Sequence, residues 1–545
     1  MEDSLNKNSR NKRKLFSVDG VSKPSGARSG GSIDFKEKSS LKPASSLDNF
    51  KKPEGLSRPT QNSLGPSRPR KNFASPEPEK QPKFFKRWRR SFKEYWGALT
   101  RRQKTKRIVA TILLILLLIF GFLVVKGYIN LRKVLSGDGG AAALQENIDP
   151  SKLRVEGDGR INILVMGRGG EGHEGADLTD TIILISINPI DKEAGLVSIP
   201  RDLYVSVRDQ GSMKINQVFY TGKMSVLNRY SSPSDDIRKQ ANEAGYSLME
   251  DTVESVLGIP VHYHVMVDFK GFEKAINTVG GVDIDAPSKL QEQMLIYGQP
   301  YFLDVKKGWQ HMDGFKALAY SRSRYTSARG DFDRSERQRR LIVALKEKVF
   351  SLGTFSNPVK ISQLLDNFGS HVQTNFSIQD LSRLYEISPE IGGDRFTSIG
   401  LVDPPHDFLT TADIDGLSVV VPKAGLNNYS KIHYYIRNTL KDSLIKMENA
   451  NVMILNGTRI PGLATRKAHE LRSYGYNVGR VENAPTRDYS RTILVNLRGE
   501  DKKYTNRYLE LRHKTISIGS VPDSKINTEG ADFVIILGND QGVTQ

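Results

Sequence analysis

The chain has 545 residues, 38% of them apolar, and this length predicts two or three folded units. It contains no cysteine, which excludes disulfides, zinc–thiolate sites and cysteine nucleophiles. Of the formal net charge of +19, residues 1–107 carry +18 (28 Lys and Arg against 10 Asp and Glu), so the remainder is nearly neutral and no nucleic-acid partner is expected for it.

The N-terminal region predicts a tail and a membrane anchor. Residues 1–82 are rich in Ser, Pro, Lys and Asn, a composition typical of a disordered segment. An uncharged apolar run at 108–125 is just long enough for one helix across the ~30 Å hydrocarbon layer, and a transmembrane helix is predicted over 108–126. Residues 83–107 carry eleven Lys or Arg and a single acid. The positive-inside rule therefore predicts a single-pass protein of the cell membrane with a cytoplasmic N-terminus, an extracytoplasmic remainder and a basic segment that attracts membrane lipid.

A Gly/Ala-rich linker is predicted at 127–150, followed by a layered α/β domain over 151–442 and a smaller α/β domain over 451–541. Short β-branched runs typical of buried strands lie at 160–166, 181–187, 196–199 and 262–267. Apolar residues at helical spacing predict helices over 235–257 and 334–350. In the second domain the predicted elements are a strand at 452–455, a helix at 463–474 and a strand at 493–497.

Two motifs have ordinary interpretations. Gly167 to Gly172 spells G-x-G-x-x-G, but a second strand and not a helix follows it, so there is no helix N-terminus to bind a pyrophosphate. A loop at a site is the favoured interpretation. His262 and His264 could share one strand face, but no third metal ligand of the right kind is near in sequence, so packed, hydrogen-bonded histidines are favoured.

An arginine cluster is the strongest candidate for chemistry. Seven arginines and no lysine lie between Arg322 and Arg340. We expect Arg322 and Arg324 at the end of a strand-like run, facing one side, and Arg334 and Arg337 on the first turns of a helix. Guanidinium groups suit bidentate contacts with phosphate or carboxylate oxygens. The alternative is an exposed salt-bridge patch with the acids of the same segment, Asp331, Asp333 and Glu336.

Other polar residues support a phosphate-handling site. Asp180 begins a strand directly after the Gly-rich loop, a position suited to a hard cation. Arg201 follows the next strand, and Lys214 and Asn216 follow a short turn. Together they supply one anionic metal ligand, several cations and a polar amide near strand ends.

From about Ile161 to about Leu345 the sequence resembles the LytR-CpsA-Psr family, whose members attach cell-wall glycopolymers to peptidoglycan. The resemblance lies in these segments: Asp180-Thr181, Ser198-Ile-Pro-Arg201-Asp202, Lys214-Ile-Asn216, Gly258-Ile-Pro, Val267-Asp-Phe269-x-Gly-Phe272, Gly280-Gly-Val282, Arg322-x-Arg324 and Gly330-Asp-Phe-x-Arg334-x-x-Arg337-Gln338. The segment from Val452 to the helix after Gly462 looks like the C-terminal domain that often accompanies the family.

The resemblance implies a layered α-β-α domain with a central mixed sheet, an apolar channel for a polyprenyl chain, and a site that depends on Mg²⁺ (or Mn²⁺). It places the metal on Asp180. The residues that it assigns to the pyrophosphate of a lipid-linked glycan are Arg201, Lys214, Arg322, Arg324 and Arg334, with Asn216, Arg337 and Gln338 as further substrate-binding residues. Family members commonly have Arg where Leu178 stands and Asp where Arg168 and Gly169 stand. The second metal carboxylate is thus open, with Asp177 first and Glu174 or Glu171 as alternatives.

The expected activity is transfer of a glycopolymer from polyprenyl pyrophosphate to a hydroxyl of peptidoglycan. Mg²⁺ and the arginines would stabilise charge on the phosphoryl oxygens, and a carboxylate would accept the proton of the acceptor. One alternative is a non-catalytic protein that binds the lipid-linked glycan or the wall on the same fold. Another is a membrane-tethered regulator whose basic tail binds DNA, for which the charge of the tail is the sole support.

Overall fold

The computed structural model describes residues 137–324, 330–351, 371–391, 395–402 and 406–541, together with five isolated residues, Tyr95, Gly97, Thr100, Gln103 and Gly369. The predicted tail and apolar run lie outside the described residues, and so does the basic segment apart from the first four of those five. No helix in the described part of the chain is both long enough and apolar enough to cross a membrane. From Gly97 onward, the described residues belong to one compact unit, Trp96–Gln545.

The larger part of the fold alternates strands and helices. Its described strands are β1 Ile161–Arg168, β2 Thr179–Asn188, β3 Glu193–Ser198, β4 Tyr204–Val207, β5 Gly211–Lys214, β6 Tyr263–Asp268, β7 Val282–Ala286, β8 Leu290–Ile296, β9 Gln299–Val305, β10 Gly308–Met312, β11 Val372–Thr374, β12 Phe396–Ile399, β13 Leu409–Ile414 and β14 Leu417–Pro422. Its described helices are α1 Val218–Leu227, α2 Asp235–Leu257, α3 Phe269–Thr278, α4 Gly314–Arg322, α5 Asp331–Ser351, α6 Ile378–Ile387 and α7 Ser430–Thr439.

A six-stranded mixed sheet in the order β11-β6-β1-β2-β3-β12 forms the centre. Strands β1 and β2 are antiparallel neighbours, whereas β1 and β6 run parallel. The β-branched runs of the sequence became these strands because both faces of the sheet are covered. One face packs on α1, α2 and α7, and the other packs on α6 and on Ala141, Ala143 and Leu144. The predicted mixed α/β architecture with a central mixed sheet is confirmed.

Local signals account for several element boundaries. Helix α2 begins where the Ser234 hydroxyl accepts a hydrogen bond from the Ile237 amide and ends at Gly258, whose φ of 71° is left-handed. The predicted helix over 235–257 is therefore confirmed. The predicted linker at 127–150 is described from Gly137 onward, and Ala141 to Leu144 within it are buried in the core.

The expectation that Arg322 and Arg324 end a strand-like run is wrong. Arg322 is the last residue of helix α4, which begins where the Asp313 carboxylate accepts a hydrogen bond from the Lys316 amide. Ala317, Leu318 and Ala319 follow that cap and have high helix propensity. They are buried in a second core formed with α3, α5 and strands β7 to β10.

The two histidines of the sequence motif are packed and hydrogen-bonded, as predicted. His262 Nε2 lies 3.0 Å from Asp158 Oδ1, and its Nδ1 accepts a hydrogen bond from the Asn162 amide. His264 Nδ1 lies 2.7 Å from Glu250 Oε1. The His262 bonds join the start of β6 to β1 and the segment before it, and the His264 bond joins β6 to helix α2.

The smaller C-terminal part is a second α/β domain. Its described elements are α8 Ser443–Glu448, β15 Asn451–Asn456, α9 Leu463–Ser473, β16 Asn477–Asn483, β17 Ile493–Asn496, α10 Lys503–His513 and β18 Phe533–Leu537. The sheet order is β16-β15-β18-β17, with only β17 antiparallel to its neighbour among these four strands. The three elements predicted here are confirmed, and β16, β18 and α10 were not predicted.

Buried polar groups join the C-terminal domain to the chain that precedes β1. Arg512 Nε and Tyr476 Oη both donate to Glu156 Oε1, at 2.6 and 3.1 Å. Beside them, the buried Asp442 carboxylate accepts hydrogen bonds from the amides of Gly157 and Gly159 at 2.8 and 3.0 Å. A Cβ at position 159 would lie 2.3 Å from Asp442 Oδ1, so this approach requires glycine. We call the group Glu156, Tyr476 and Arg512 the interdomain cluster.

Candidate active site at one edge of the central sheet

Three strands of the central sheet bring their polar ends to one edge. Strand β1 ends at Arg168, and β2 returns antiparallel from Thr179, so Asp180 lies beside the end of β1. Strand β3 is antiparallel to β2, with Ser198 opposite Ile183, and therefore ends at the same edge. The Gly-rich loop between β1 and β2 contains turns and no helix, as predicted. Arg201, just beyond β3, is thereby brought to Asp180.

A chain of ion pairs runs through this edge. Arg201 Nη1 lies 2.6 Å from Asp180 Oδ1, and the two side chains are 23% and 36% exposed. Arg201 Nε is 3.5 Å from Asp202 Oδ2, and Lys214 Nζ is 2.9 Å from Asp202 Oδ1. Strand pairing of Tyr204 with Lys214 places the lysine here. The structure thus brings Asp180, Arg201 and Lys214 together through Asp202, to which the sequence alone gave no role.

Asn216 is held by its backbone and keeps its side-chain oxygen unpaired. Its amide donates to the Arg201 carbonyl at 3.2 Å, and its carbonyl accepts from Thr179 Oγ1 at 3.3 Å. The buried Oδ1 has no hydrogen-bond partner in the part of the chain that the structure describes. A buried acceptor of this kind is costly unless a water or ligand satisfies it, which suits a substrate-binding amide.

Asp177 lies in a second group of charges. Its Oδ1 is 2.6 Å from Arg168 Nη1, and its Oδ2 is 2.6 Å from Lys223 Nζ on helix α1. The Arg168 guanidinium also lies 5.8 Å from the centre of the Phe219 ring. Sequence reasoning missed Arg168 and Lys223 as site cations. The lysine gave no sequence signal, because it is 46 residues from the carboxylate that it contacts.

Arg322 approaches the same edge from the end of helix α4. Its guanidinium lies 4.6 Å from the centre of the Phe269 ring, and its Nη1 donates to the Leu295 carbonyl at 3.4 Å. Burial lowers the pKa of this guanidinium, and the nearby Asp180 carboxylate acts against that shift. The same Phe269 ring contacts His173 of the Gly-rich loop, with ring centres 5.2 Å apart, so Arg322 lies near that loop.

The other arginines occupy different surroundings. The Arg324 amide donates to both carboxylate oxygens of Glu292, at 3.3 and 3.1 Å, and its positive charge lowers the pKa of Arg322 after the larger effect of burial. Arg334 is 7% exposed. Arg337 donates to the carbonyls of Tyr320 and Ser323 at the end of α4.

Gln338 also donates to helix α4, from Nε2 to the Ser321 carbonyl at 3.3 Å. Helix ends have unsatisfied carbonyls, and these donors satisfy them. Arg337 and Gln338 therefore hold in place the helix end that carries Arg322. Their predicted contact with substrate stays a prediction.

The carboxylates suit a metal that is shared with a substrate. Among the described residues no group of three or more His, Asp or Glu side chains could hold a metal ion. Asp180 uses Oδ1 for Arg201, while its Oδ2 accepts no hydrogen bond from a described residue. Mg²⁺ commonly takes one or two carboxylates, several waters and substrate phosphates, and does not need an all-protein cage. The donor set thus fits a magnesium ion bound together with a phosphorylated substrate.

Two family models match this chain. The model of the LytR_cpsA_psr family matches residues 130–421, and the model described as LytR cell envelope-related transcriptional attenuator matches residues 449–540. The cell wall biosynthesis protein LcpA of Corynebacterium glutamicum is 27% identical over 420 residues, covering 70% of this chain and 76% of LcpA.

Two further relatives are described as polyisoprenyl-teichoic acid–peptidoglycan teichoic acid transferases. TagV of Bacillus subtilis is 31% identical, covering 52% of this chain and 68% of TagV. TagU of Enterococcus faecalis is 30% identical, covering 44% of this chain and 69% of TagU. The crystal structure of B. subtilis TagV aligns over 52% of this chain and 97% of TagV, with 27% identity and a TM-score of 0.38. TagT bound to LIIa-WTA aligns over 57% and 98%, with 22% identity and a TM-score of 0.38.

Proposed function

The chain belongs to the LytR-CpsA-Psr family, and on that premise we propose that it is a membrane-anchored, extracytoplasmic transferase that moves a glycopolymer from polyprenyl pyrophosphate to a peptidoglycan hydroxyl. The observation that carries the proposal is the convergence of Asp180, Arg201 and Lys214 at one edge of the sheet, with Arg322 over the Phe269 ring that also contacts His173 of the Gly-rich loop. Relatives described as teichoic acid transferases and as a cell wall biosynthesis protein support the reaction class.

The proposed reaction is a phosphoryl transfer. The acceptor hydroxyl oxygen bonds to the phosphorus that carries the glycan, and the bond from that phosphorus to the bridging oxygen breaks. Polyprenyl phosphate leaves with the electron pair of the broken bond, the acceptor loses its proton to a base, and a phosphodiester remains. Such reactions depend chiefly on positioning and on stabilising charge at the phosphoryl oxygens.

The cations at the sheet edge would bind the pyrophosphate. Arg201 and Lys214 are held by Asp180 and Asp202, and their side chains are about one-quarter exposed. An incoming pyrophosphate replaces carboxylate partners with phosphate oxygens, so the guanidinium need not be desolvated again when the substrate binds. Arg322, fixed by Phe269 and the Leu295 carbonyl, would supply a pre-oriented guanidinium.

Mg²⁺ (or Mn²⁺) is the proposed cofactor. Asp180 would hold it through Oδ2, and Asp177 is the proposed second carboxylate, although both oxygens of Asp177 contact cations in this structure. When bound, the metal would supply positive charge to the phosphoryl oxygens. Arg324 and Arg334 remain proposed pyrophosphate ligands, and the identity of the base is open.

The proposal is tested with the full chain in liposomes that contain a polyprenyl-pyrophosphate glycan, with a peptidoglycan oligomer as acceptor. We expect coupled product and polyprenyl phosphate that depend on Mg²⁺ and are lost in Asp180→Ala. Glu482→Ala, at an exposed acid of the C-terminal domain, is the matched control and should retain full activity. Binding of the donor without release of polyprenyl phosphate would contradict the transferase and favour a binding protein.

A further inference from the structure

The outward face of the β8–β9 hairpin is apolar near the turn and polar toward the base, where Gln291, Gln293 and Asp304 lie exposed. Its strands pair from Leu290 with Val305 to Ile296 with Gln299, and alternate side chains point to opposite faces. One face, with Leu303 and Val305, is buried in the second core. The opposite face carries Leu295, Pro300 and Phe302, and Leu295 and Phe302 are 58% and 55% exposed. Because Pro300 pairs with Leu295 and Phe302 lies diagonal to it, the three form one continuous patch.

The tip of this hairpin is fixed to the candidate site. The two-residue turn Tyr297-Gly298 has positive φ at both positions, 51° and 75°, as tight hairpin turns require. This conformation is unfavourable for a tyrosine, and two contacts hold it. Tyr297 Oη donates to Glu273 Oε2 at 2.8 Å, and its ring lies 5.6 Å from the His173 ring of the Gly-rich loop. The outward face is therefore presented at a fixed position beside the site.

The patch is also continuous with Arg322 of the candidate site. Arg322 Nη1 donates to the carbonyl of Leu295, whose side chain is 58% exposed. A surface that covers the Leu295 side chain therefore lies next to the residue that holds the Arg322 guanidinium. The partner of the patch is thus also a neighbour of the candidate site.

Cations lie at the opposite end of the hairpin. Lys289 precedes β8, and Lys306 and Lys307 follow β9, and all three are exposed. Trp309, 72% exposed, comes two residues later at the start of β10. An apolar tip with lysines and a tryptophan toward the base is the composition of surfaces that lie in the membrane interface.

The short segment of chain before the domain limits which partner can cover the patch. Eleven residues, 126–136, separate the end of the apolar run at Val125 from Gly137. If that run spans the membrane, Gly137 lies within about 40 Å of the bilayer surface even when the intervening chain is fully extended. The domain cannot leave the surface of the bilayer, so an exposed apolar patch on it meets lipid at high local concentration.

We propose that the outward face of the β8–β9 hairpin docks on the lipid bilayer, with Leu295, Pro300 and Phe302 entering the boundary between headgroups and acyl chains. Docking holds the end of helix α4, and Arg322 with it, at the level where the phosphates of a membrane-embedded donor lie. The proposal rests on the proposed function for its choice of donor and on the anchor for its geometry.

Single cysteines can test the contact directly, because the chain has none of its own. The variants are Leu295→Cys and Phe302→Cys in the full chain, labelled with an environment-sensitive fluorophore and reconstituted in liposomes of zwitterionic and anionic phospholipid. The matched control is Ile516→Cys in the C-terminal domain, where the native side chain is 82% exposed. Liposomes with and without a nitroxide on the upper acyl chain provide the quencher.

We expect both hairpin probes to be quenched about threefold more strongly than the control, because a probe ~5–10 Å deep lies beside the nitroxide. Quenching equal to that of Ile516→Cys overturns the proposal. A hairpin probe that responds only when a peptidoglycan oligomer is added also overturns it, since the patch then binds acceptor. The measurement needs no turnover, so strong quenching in a chain that transfers no glycan would leave docking intact and refute the transferase.

Discussion

Two arginine–carboxylate pairs have the same N···O distance and different surroundings. Arg201 and Asp180 at the sheet edge, and Arg512 and Glu156 in the interdomain cluster, both pair at 2.6 Å. The first two side chains are 23% and 36% exposed, the second two 14% and 6%. A pair that water reaches can exchange its partners for a ligand, whereas a buried pair loses stability when either partner is removed. Under the proposed function, the comparison separates residues expected to act on substrate from residues that hold the fold.

The largest expected effect is on the buried side of the comparison. Arg512→Ala leaves Glu156 buried with Tyr476 as its one remaining donor among the described residues, and it should lower the free energy of unfolding by about 3–5 kcal/mol. Thermal and denaturant unfolding of the full chain measure it. Glu156→Gln combined with Arg512→Ala should cost less than the sum of the two single changes, because the buried charge is then gone. A loss of less than about 1 kcal/mol would be far below the cost of breaking a buried ion pair and would contradict the assigned role.

A pH dependence comes next, from His513 beside the cluster. Burial, and then the charge of Arg512, lower its pKa from 6.5 to about 4. As pH falls from 6.5 toward 4 the unfolded chain binds a proton that the folded chain does not, so stability falls by about 3 kcal/mol over that window. Above pH 6.5 both states are neutral and the effect is absent. His513→Gln should flatten the decline, and an unchanged pH profile of unfolding would contradict this origin.

On the exposed side, Arg322→Ala should reduce kcat on the order of 10²-fold, since a fixed guanidinium that stabilises transferring phosphoryl oxygens is removed. Its unfolding midpoint should change little compared with that of Arg512→Ala. Arg480→Ala, in an exposed pair with Glu482, is the control and should alter neither quantity. Undiminished transfer by Arg322→Ala would remove this arginine from the site.

The smallest expected effect distinguishes the candidate metal carboxylates. Asp177→Asn should raise the Mg²⁺ concentration that gives half-maximal rate about tenfold, as loss of an auxiliary ligand commonly does. Glu171→Gln and Glu174→Gln, in the same loop and exposed, are the matched controls. If one of these shifts the Mg²⁺ dependence and Asp177→Asn does not, the second carboxylate is that glutamate.

The sequence predicted the sheet edge better than it predicted the contacts between domains. Strands with continuous β-branched runs, such as β1 and β2, can be recognised from their own residues. The order of the strands along the chain then brings Asp180 to Arg201, 21 residues away. Arg512 and Glu156 are 356 residues apart, and neither position differs in pattern from a surface charge. Burial of a charge is decided by tertiary packing, which single-sequence patterns do not encode.

Errors at the site have equally local causes. The Tyr320-Ser-Arg322 segment has the alternation of a strand end, but the Asp313 cap and the alanines after it form a helix that packs on the second core. Lys223 contacts Asp177 only because the fold brings helix α1 beside the loop that leads into β2. The positions of Asp180, Arg201 and Lys214 followed from strand ends, whereas those of Arg322 and Lys223 required the fold.

The most direct test of the comparison is a parallel measurement of transfer rate and unfolding midpoint for Arg201→Ala and Arg512→Ala in the full chain. We expect Arg201→Ala to lose transfer by on the order of 10²-fold with a nearly unchanged midpoint, and Arg512→Ala to lose stability while the fraction that stays folded transfers glycan normally. If instead Arg201→Ala unfolds the chain, or transfers glycan as fast as the native protein, the pairs at the sheet edge are structural and the site lies elsewhere.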